Sequence, residues 1–387
     1  MVVLTGPRQV GKSTLLRREP PFCDWHQVTL DDFDALAAAR EDPHALWEGH
    51  DAIVLDEVQK APGVLSAVKA AVDRDSSRRF VLTGSANLLL MQHVSESLAG
   101  RASYLELGPL TLGEWEGRPA PTLLERLLDG DAPTVDHDMR QPADLYALAY
   151  RGMMPRFLTL PERSVPAWWD GYVATYLERD VRAIAQVSSL PDYRRVMEAL
   201  ALRQGAVLNR SELARDVGVT QPTTYRYIDL MKTTGAVRLL AAFSGNRTTR
   251  LVKSPKPYLF DSGLTSFLAG HYTLESLRGS REAGVVFEGL VLQHLAALCQ
   301  LMTPPPRLYY WRTVVGAEVD VVVERGRACL GIEIRVSSRV GFGDTAGLRA
   351  FLRDTPNAVA GVVVYGGTET QQLGEKLFAV PWTALAG

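Results

Sequence analysis

The chain has 387 residues, long for one hydrophobic core, so two or three domains are expected. Hydrophobic residues make up 46% and charged residues 22%, and 42 Lys and Arg against 44 Asp and Glu leave a net charge of −2. This ordinary globular composition excludes a chain that binds nucleic acid through its overall charge, so such a role needs a local patch.

Val2-Val3-Leu4 reads as a short buried strand that ends at Gly6. Gly6-Pro7-Arg8-Gln9-Val10-Gly11-Lys12-Ser13 follows and matches G-x-x-x-x-G-K-[ST] without a mismatch, and Thr14 continues into a helix. Strand, loop and helix are the setting a phosphate-binding loop requires. Gly6 and Gly11 let backbone N–H groups turn inward around phosphate oxygens, and the helix N-terminus adds partial positive charge. Lys12 can reach the β- and γ-phosphates, and the Ser13 hydroxyl can ligate Mg²⁺. Met1 to Thr5 lead straight into this loop, which is not a signal-peptide pattern.

A second strand, Ala52-Ile53-Val54-Leu55, runs into Asp56-Glu57. Beside a phosphate loop, Asp56 is expected to hold the Mg²⁺ shell and Glu57 to act as general base on the attacking water. The bland alternative is a solvated pair of acids. A third strand, Phe80-Val81-Leu82-Thr83, ends in Gly84-Ser85-Ala86-Asn87. Ser85 is expected to contact the γ-phosphate, with Thr83 and Asn87 as alternatives and ordinary turn chemistry as the bland one. Arg101 precedes the apolar strand Tyr104-Leu105-Glu106-Leu107. It could stabilise the transferring phosphoryl group in its own subunit or a neighbour's, or be a surface charge.

These motifs, with Thr83-Gly84-Ser85 and Ser97-Leu98-Ala99-Gly100-Arg101, resemble a prokaryotic ATPase family of the AAA-like superfamily. Its members join a P-loop domain to a C-terminal domain of unknown function. Tyr176-Leu177-Glu178-Arg179-Asp180 and Pro257-Tyr258-Leu259-Phe260-Asp261-Ser262-Gly263-Leu264 extend the resemblance along nearly the whole chain. It implies ATP rather than GTP as the nucleotide. Family members carry a segment ahead of the P-loop strand, on which this chain begins; part of the adenine pocket is therefore expected to be missing or to come from elsewhere.

Residues 111–142 are rich in Pro, Gly and acids and read as a linker or mobile excursion. Trp168, Trp169, Tyr172, Tyr176 and Leu177 then fall near one helical face, more a packing stripe than a ligand site. Residues 211–219 read as a capped helix ending at Gly218, and Thr220-Gln221-Pro222 opens a second helix. With the strand of residues 236–240 and the loop of 245–250 they compose a winged helix. Residues 191–256 hold twelve Lys or Arg against five acids, a local basic excess. Gln221, Thr223, Thr224 and Arg226 could meet base edges or phosphates, and Arg247 and Arg250 are the better phosphate contacts. An interdomain lid or protein interface is the competing use.

In the last third, Phe287-Glu288 lies on a helix, and residues 318–323 and 331–336 read as strands. Alternation puts Glu333 and Arg335 on one face. Asp320 with Glu333-x-Arg335 resembles the D…E-x-K arrangement of restriction-endonuclease-like folds, in which acids bind a divalent metal that activates water. Glu288, Asp320 and Glu333 are the candidate second metal site. Lysine is expected where Arg335 stands; a guanidinium can stabilise phosphate but cannot serve as a base. The fold can equally be kept for binding or assembly.

The expected fold is α/β: an additional-strand, AAA-like P-loop NTPase domain (1–140), a helical and winged-helix region (141–265) and a nuclease-like α/β domain (266–387). The expected function is MgATP hydrolysis at Gly6, Pro7, Arg8, Gln9, Val10, Gly11, Lys12, Ser13 and Thr14, with Asp56, Glu57, Ser85 and Arg101, driving rearrangement of the C-terminal domains, in the leading reading on DNA. The alternatives are a nucleotide switch for a protein partner and an ATP-dependent nuclease. A second copy of the chain becomes a partner if Arg101 acts in trans. Cys23, Cys299 and Cys329 lack pairing or metal-ligand spacing, and no apolar run approaches the roughly 20 residues that cross a bilayer. A reduced, cytoplasmic protein with no membrane partner is expected.

Overall fold

A computed structural model describes residues 1–84, 100–133, 144–178 and 189–386, without the side chains of Arg247, Thr249 and Leu251. Ser85, Asn87, Ser97, Arg179 and Asp180 lie outside the described residues. The chain forms two compact units. The first is Met1–Gly108 with Thr175–Val187 and Thr233–Ala236; the second is Pro109–Ala174, Ser188–Lys232 and Val237–Gly387.

In the first unit, β1 (Val2–Thr5), β2 (His26–Thr29), β3 (Ala52–Asp56), β4 (Arg79–Thr83) and β5 (Ser103–Glu106) form one sheet in the order β2-β3-β4-β1-β5. Every neighbouring pair is parallel. Strands buried on both faces read as unbroken apolar runs, which is the pattern of β1, β3 and β4. Val3, Ile53, Leu55, Phe80 and Leu82 face one layer with Trp47, Leu65 and Val68. Leu4, Val54 and Val81 face the other with Leu16. Because β4 lies between β1 and β3, Thr5, Thr83 and Asp56 end side by side along one rim, where open parallel sheets bind ligands.

The second unit carries β6 (Val237–Ala242), β7 (Lys256–Leu259), β8 (Arg307–Arg312), β9 (Glu318–Arg325), β10 (Ala328–Arg335), β11 (Ala358–Tyr365), β12 (Gln371–Gly374) and β13 (Leu377–Pro381). They make one mixed sheet in the order β12-β13-β11-β10-β9-β8-β6-β7, with strands from both sides of position 265. The parallel pairing of Ala241 with Tyr309 and Ala242 with Tyr310 joins β6 to β8. Helix Ala283–Gln300 has the length and apolar composition to cross a membrane, but 67% of it is buried inside the protein. Phe287, Leu290 and Leu295 are among its fully buried residues, so it is a core helix.

Residues 111–133 are not a linker. Thr111 and Glu114 form a reciprocal capping box on helix Leu112–Trp115. Leu112, Leu124, Leu127 and Leu128 are all buried. Leu124, Leu127 and Leu128 recur at i, i+3 and i+4, an apolar face that outweighs the surrounding Pro, Gly and acids. His294, fully buried, fastens this segment. Its Nε2 accepts a hydrogen bond from Leu112 N at 2.9 Å, and Nδ1 lies 2.7 Å from Leu290 O. A neutral ring protonated on Nδ1 satisfies both. Burial pushes the imidazole pKa down to about 4.

Helix Arg210–Val217 is capped by Asn209 and ends at Gly218, whose φ of 69° is left-handed. Helix Gln221–Thr233 follows. Thr224, expected to face a ligand, is buried, whereas Gln221 and Arg226 are exposed. The expected loop of 245–250 is partly helical, Arg247–Val252. Arg250, expected to contact phosphate, is held inside the unit instead. Its guanidinium makes a bidentate pair with Glu324 at 2.8 and 2.9 Å and stacks on Phe243 and Tyr309.

The 257–264 segment also has an internal task. Buried Asp261 caps helix Ser262–Leu268 through Gly263 N at 2.7 Å and accepts from Met153 N at 2.9 Å. Gly152 sits so close to this carboxylate that a Cβ there would overlap it.

Candidate functional site

The loop after β1 is shaped by its glycines. Gly6 has φ 135°, and a Cβ there would overlap the Leu107 carbonyl. Gly11 has φ 99° and precedes helix Lys12–Arg18, whose N-terminus has no side-chain cap. The first-turn N–H groups therefore have no competing side-chain acceptor at the cap position. Lys12 is buried and bonds back to the loop's own carbonyls, Gly6 O at 2.9 Å and Pro7 O at 2.7 Å. Burial lowers its pKa to about 8, opposed by Glu57 and Asp56 and aided by Arg8. An anion in the loop would reverse that shift by supplying the counter-charge.

Ser13 Oγ donates to Asp56 Oδ2 at 2.7 Å, so a residue of the loop and the acid at the end of β3 meet at one point. Two oxygens this close suit one shared cation, and hydroxyl plus carboxylate is a hard-oxygen donor set of the kind Mg²⁺ prefers. Glu57 follows in the left-handed region, φ 59° and ψ 39°. For a non-glycine residue that costs of order 1–3 kcal/mol and turns the chain sharply away from β3. The Glu57 amide donates to Asp56 Oδ1 at 3.0 Å, and Gln59 Nε2 donates to the Glu57 carboxylate. A cleft of about 250 Å³ opens beside Ser13 and Asp56, lined also by Leu16, Arg17, Gln27 and Thr29.

Thr83 ends β4 between these residues. It is fully buried, and its hydroxyl has no hydrogen-bond partner among the described residues. Of the polar residues considered at this strand tip, it is the described one. Arg101 is not brought to the rim. Parallel register pairs Ser103 with Val2 and Glu106 with Thr5, so residues before β5 lie at the opposite end of the sheet from the loop. There Arg101 Nε bonds Asp73 at 2.6 Å. Arg101 is therefore not among the residues gathered around the loop.

One contact at the loop was not foreseen. Tyr176, read as part of a packing stripe, accepts a hydrogen bond from Gln9 Nε2 at 2.7 Å, and the Arg8 guanidinium lies 5.4 Å from its ring centroid. Trp168, Trp169 and Tyr172 do pack as expected, against each other and against Phe157 or Phe260.

The second unit gathers Glu288, Asp320, Glu333 and Arg335, but not as a metal site. Arg335 bonds Glu333 Oε1 at 2.6 Å and pairs with Asp320 Oδ2 at 3.5 Å, so the guanidinium is the resident cation between the two acids. Glu288 instead accepts from Tyr258 and lies 3.9 Å from Lys256, which also bonds Glu318 at 2.5 Å. Among the described residues no group of three His, Cys, Asp or Glu is arranged to hold a metal ion. The expected three-acid site therefore does not form. Burial, reinforced by Asp320, raises the Glu288 pKa to about 8 and that of Glu333 to about 7. For Lys256 burial acts downward, but Glu288, Asp320 and Glu318 outweigh it and the pKa is raised. Lys256 was not singled out in the sequence, and Tyr258 was quoted only within the 257–264 family segment; the only signal was a lysine opening an otherwise apolar strand.

Residues 1–116 match an AAA domain, 142–275 a domain of unknown function (DUF8612) and 283–385 a second one (DUF4143). Two uncharacterized proteins, Mb2031c of Mycobacterium bovis and Rv2008c of Mycobacterium tuberculosis, are each 33% identical over 386 residues, spanning 98% of this chain and 80% of the relative. Among solved structures, the Walker-type ATPase PABY2304 of Pyrococcus abyssi is similar at 18% identity, covering 69% of this chain and 90% of that one, with a TM-score of 0.37. Identity at this level through all three stretches is more than a shared phosphate loop, and the chain belongs to the family of AAA-like P-loop ATPases that end in a domain of unknown function.

Proposed function

We propose that this chain hydrolyses ATP with Mg²⁺ at the rim formed by β1, β3 and β4. The observation that carries the reading is the 2.7 Å contact of Ser13 with Asp56 beside a buried Lys12. Mg²⁺, when bound, supplies charge neutralisation at the β- and γ-phosphates. Ser13 and Asp56 hold it. Lys12 leaves the Gly6 and Pro7 carbonyls for the phosphate oxygens. Backbone N–H groups of residues 8–14 cradle the phosphates, and Glu57 takes a proton from the water that attacks the γ-phosphorus, giving ADP and phosphate. Ser85 or Thr83 contacts the γ-phosphate, and Arg101 serves a neighbouring copy.

The output is directed at the C-terminal part, which we divide in sequence at about 140 and 265, although β6 and β7 share one sheet with the strands after 265. We read the two helices around Gly218 with β6 and β7 as a winged helix and the remainder as a nuclease-like fold used for binding or assembly, because Arg335 neutralises both acids. Buried Thr224 and the Arg250–Glu324 pair remove two of the expected DNA contacts, which favours a protein partner over DNA. The deciding measurement is ATP turnover of wild type, Lys12→Ala and Glu57→Gln, with and without duplex and single-stranded DNA at low salt. Turnover lost in both variants and unmoved by DNA is expected. Turnover that survives Glu57→Gln would refute the assignment of the base, and strong stimulation by DNA would restore the DNA reading.

A further inference from the structure

Arg8 and Gln9 form the crest of the phosphate loop, and the motif leaves both positions free. Gln9 has φ 62°, a left-handed conformation that a non-glycine residue keeps only when its surroundings hold it. Gln9 Nε2 donates to the Tyr176 hydroxyl at 2.7 Å across 167 positions of sequence. The Arg8 guanidinium stacks on the same ring at 5.4 Å. Tyr176 lies in helix Val173–Glu178, which is wound as a π-helix, a rare and less stable winding that tends to mark functional segments. A held loop residue and an irregular helix thus meet at one phenol, and both crest residues touch it. Packing alone explains a ring beside a guanidinium. It does not explain why the hydroxyl takes the side chain of the one non-glycine loop residue in a left-handed conformation.

We infer that Tyr176 is a positioning residue for the nucleotide site: it holds the loop's crest in the phosphate-accepting shape and makes nucleotide affinity depend on the conformation of helix Val173–Glu178. The inference rests on the reading of residues 6–13 as an ATP site. With the crest held, the loop's N–H groups are oriented before the phosphates arrive, and less ordering is required on binding. Without Tyr176 the crest loses its contacts to Gln9 and to the Arg8 guanidinium, so ATP binds more weakly while the chemistry at Glu57 is unchanged once it is bound. Tyr176 touches no reacting atom, so its signature is in affinity and KM.

The test is a fluorescent-ATP titration and a turnover assay on the full chain for Tyr176→Phe, Tyr176→Ala, Gln9→Ala and the Tyr176→Ala/Gln9→Ala pair, with Lys12→Ala as the control for the site itself. Tyr176→Phe keeps the ring under Arg8 but loses the acceptor, and a drop in affinity of about 3-fold is expected, as for one exposed hydrogen bond. Tyr176→Ala loses both contacts and should weaken binding about 10-fold, with kcat within about 2-fold of wild type. Adding Gln9→Ala to Tyr176→Ala should cost little more. Wild-type affinity in Tyr176→Ala, or additive losses in the pair, overturns the inference while the ATP site stands. A fall in kcat together with melting temperature, without a change in affinity, marks a structural role and also overturns it. Undiminished binding in Lys12→Ala would sink the site itself. If Tyr176→Ala does not fold, Tyr176→Phe and Gln9→Ala decide by the same affinity criterion.

Discussion

His294 tests whether residues 111–133 are fastened to the second unit as described. Replacing it by glutamine keeps an acceptor for Leu112 N and removes the titrating ring. At pH 8 the cost should be about 1–3 kcal/mol, from imperfect hydrogen bonding and repacking. Acidification supplies the sharper test. The folded ring titrates at about 4 and the unfolded one at 6.5. Its pKa is depressed by folding, so the stability it contributes is present above pH 6.5 and is lost as pH falls toward 4. At pH 5 the unfolded ring is almost fully protonated and the folded one mostly neutral, which penalises the wild type by about 2 kcal/mol relative to pH 8. Glutamine feels none of this. Urea unfolding followed by tryptophan fluorescence at both pH values should therefore show the gap between wild type and His294→Gln narrowing by about 2 kcal/mol at pH 5. A gap that is the same at pH 5 and pH 8 would refute a buried, neutral His294.

Glu288 should behave in the opposite sense. Its pKa is raised from 4.5 to about 8, so its contribution is present below pH 4.5 and is lost as pH rises through 8. Glu288→Gln should gain stability relative to wild type between pH 5 and pH 9, by more than about 1 kcal/mol in the same unfolding experiment. Arg250→Lys keeps the charge but loses the bidentate pair and both ring contacts; a loss of about 2 kcal/mol is expected, and Glu324→Gln in the same background should add little. Gly263→Ala would drive a Cβ into the Arg151 carbonyl and should lower stability by about 3 kcal/mol or more, whereas Gly284→Ala meets open space and should be neutral or slightly stabilising by calorimetry.

The phosphate loop was legible because its chemistry is a matter of backbone conformation within eight consecutive residues. Gly6, Gly11, Lys12 and Ser13 carry their geometry locally, and the apolar runs of β1, β3 and β4 announce a sheet buried on both faces. The place of Arg101 away from the loop was not legible, because strand polarity decides which end of the sheet a residue occupies, and composition near residue 101 is silent on that. The 111–133 segment misled because Pro, Gly and acids masked the helical spacing of Leu124, Leu127 and Leu128. Other contacts that join distant positions, which no motif announces, were not legible. Lys256 meets Glu288 and Glu318, Arg250 meets Glu324, and Tyr176 meets Gln9 only once the chain has folded. At Lys256 and Arg250 a charge enters a largely apolar region and is tolerated because its partners arrive from other strands or helices.

The pairing of β6 with β8 sets an order on the emergence of this protein from the ribosome. Both strands of the β6–β7 pair are present in the chain by residue 259, yet the strand that pairs with Ala241 and Ala242 on the other edge of β6 ends at Arg312. At ordinary translation rates that edge waits roughly 3–10 s with its backbone groups unpaired. Cutting the gene between 275 and 283, where the two family matches part, would make that temporary edge permanent on one fragment and strip β8 of a neighbour on the other. The two matched regions are separate in sequence comparison but contribute strands to one sheet.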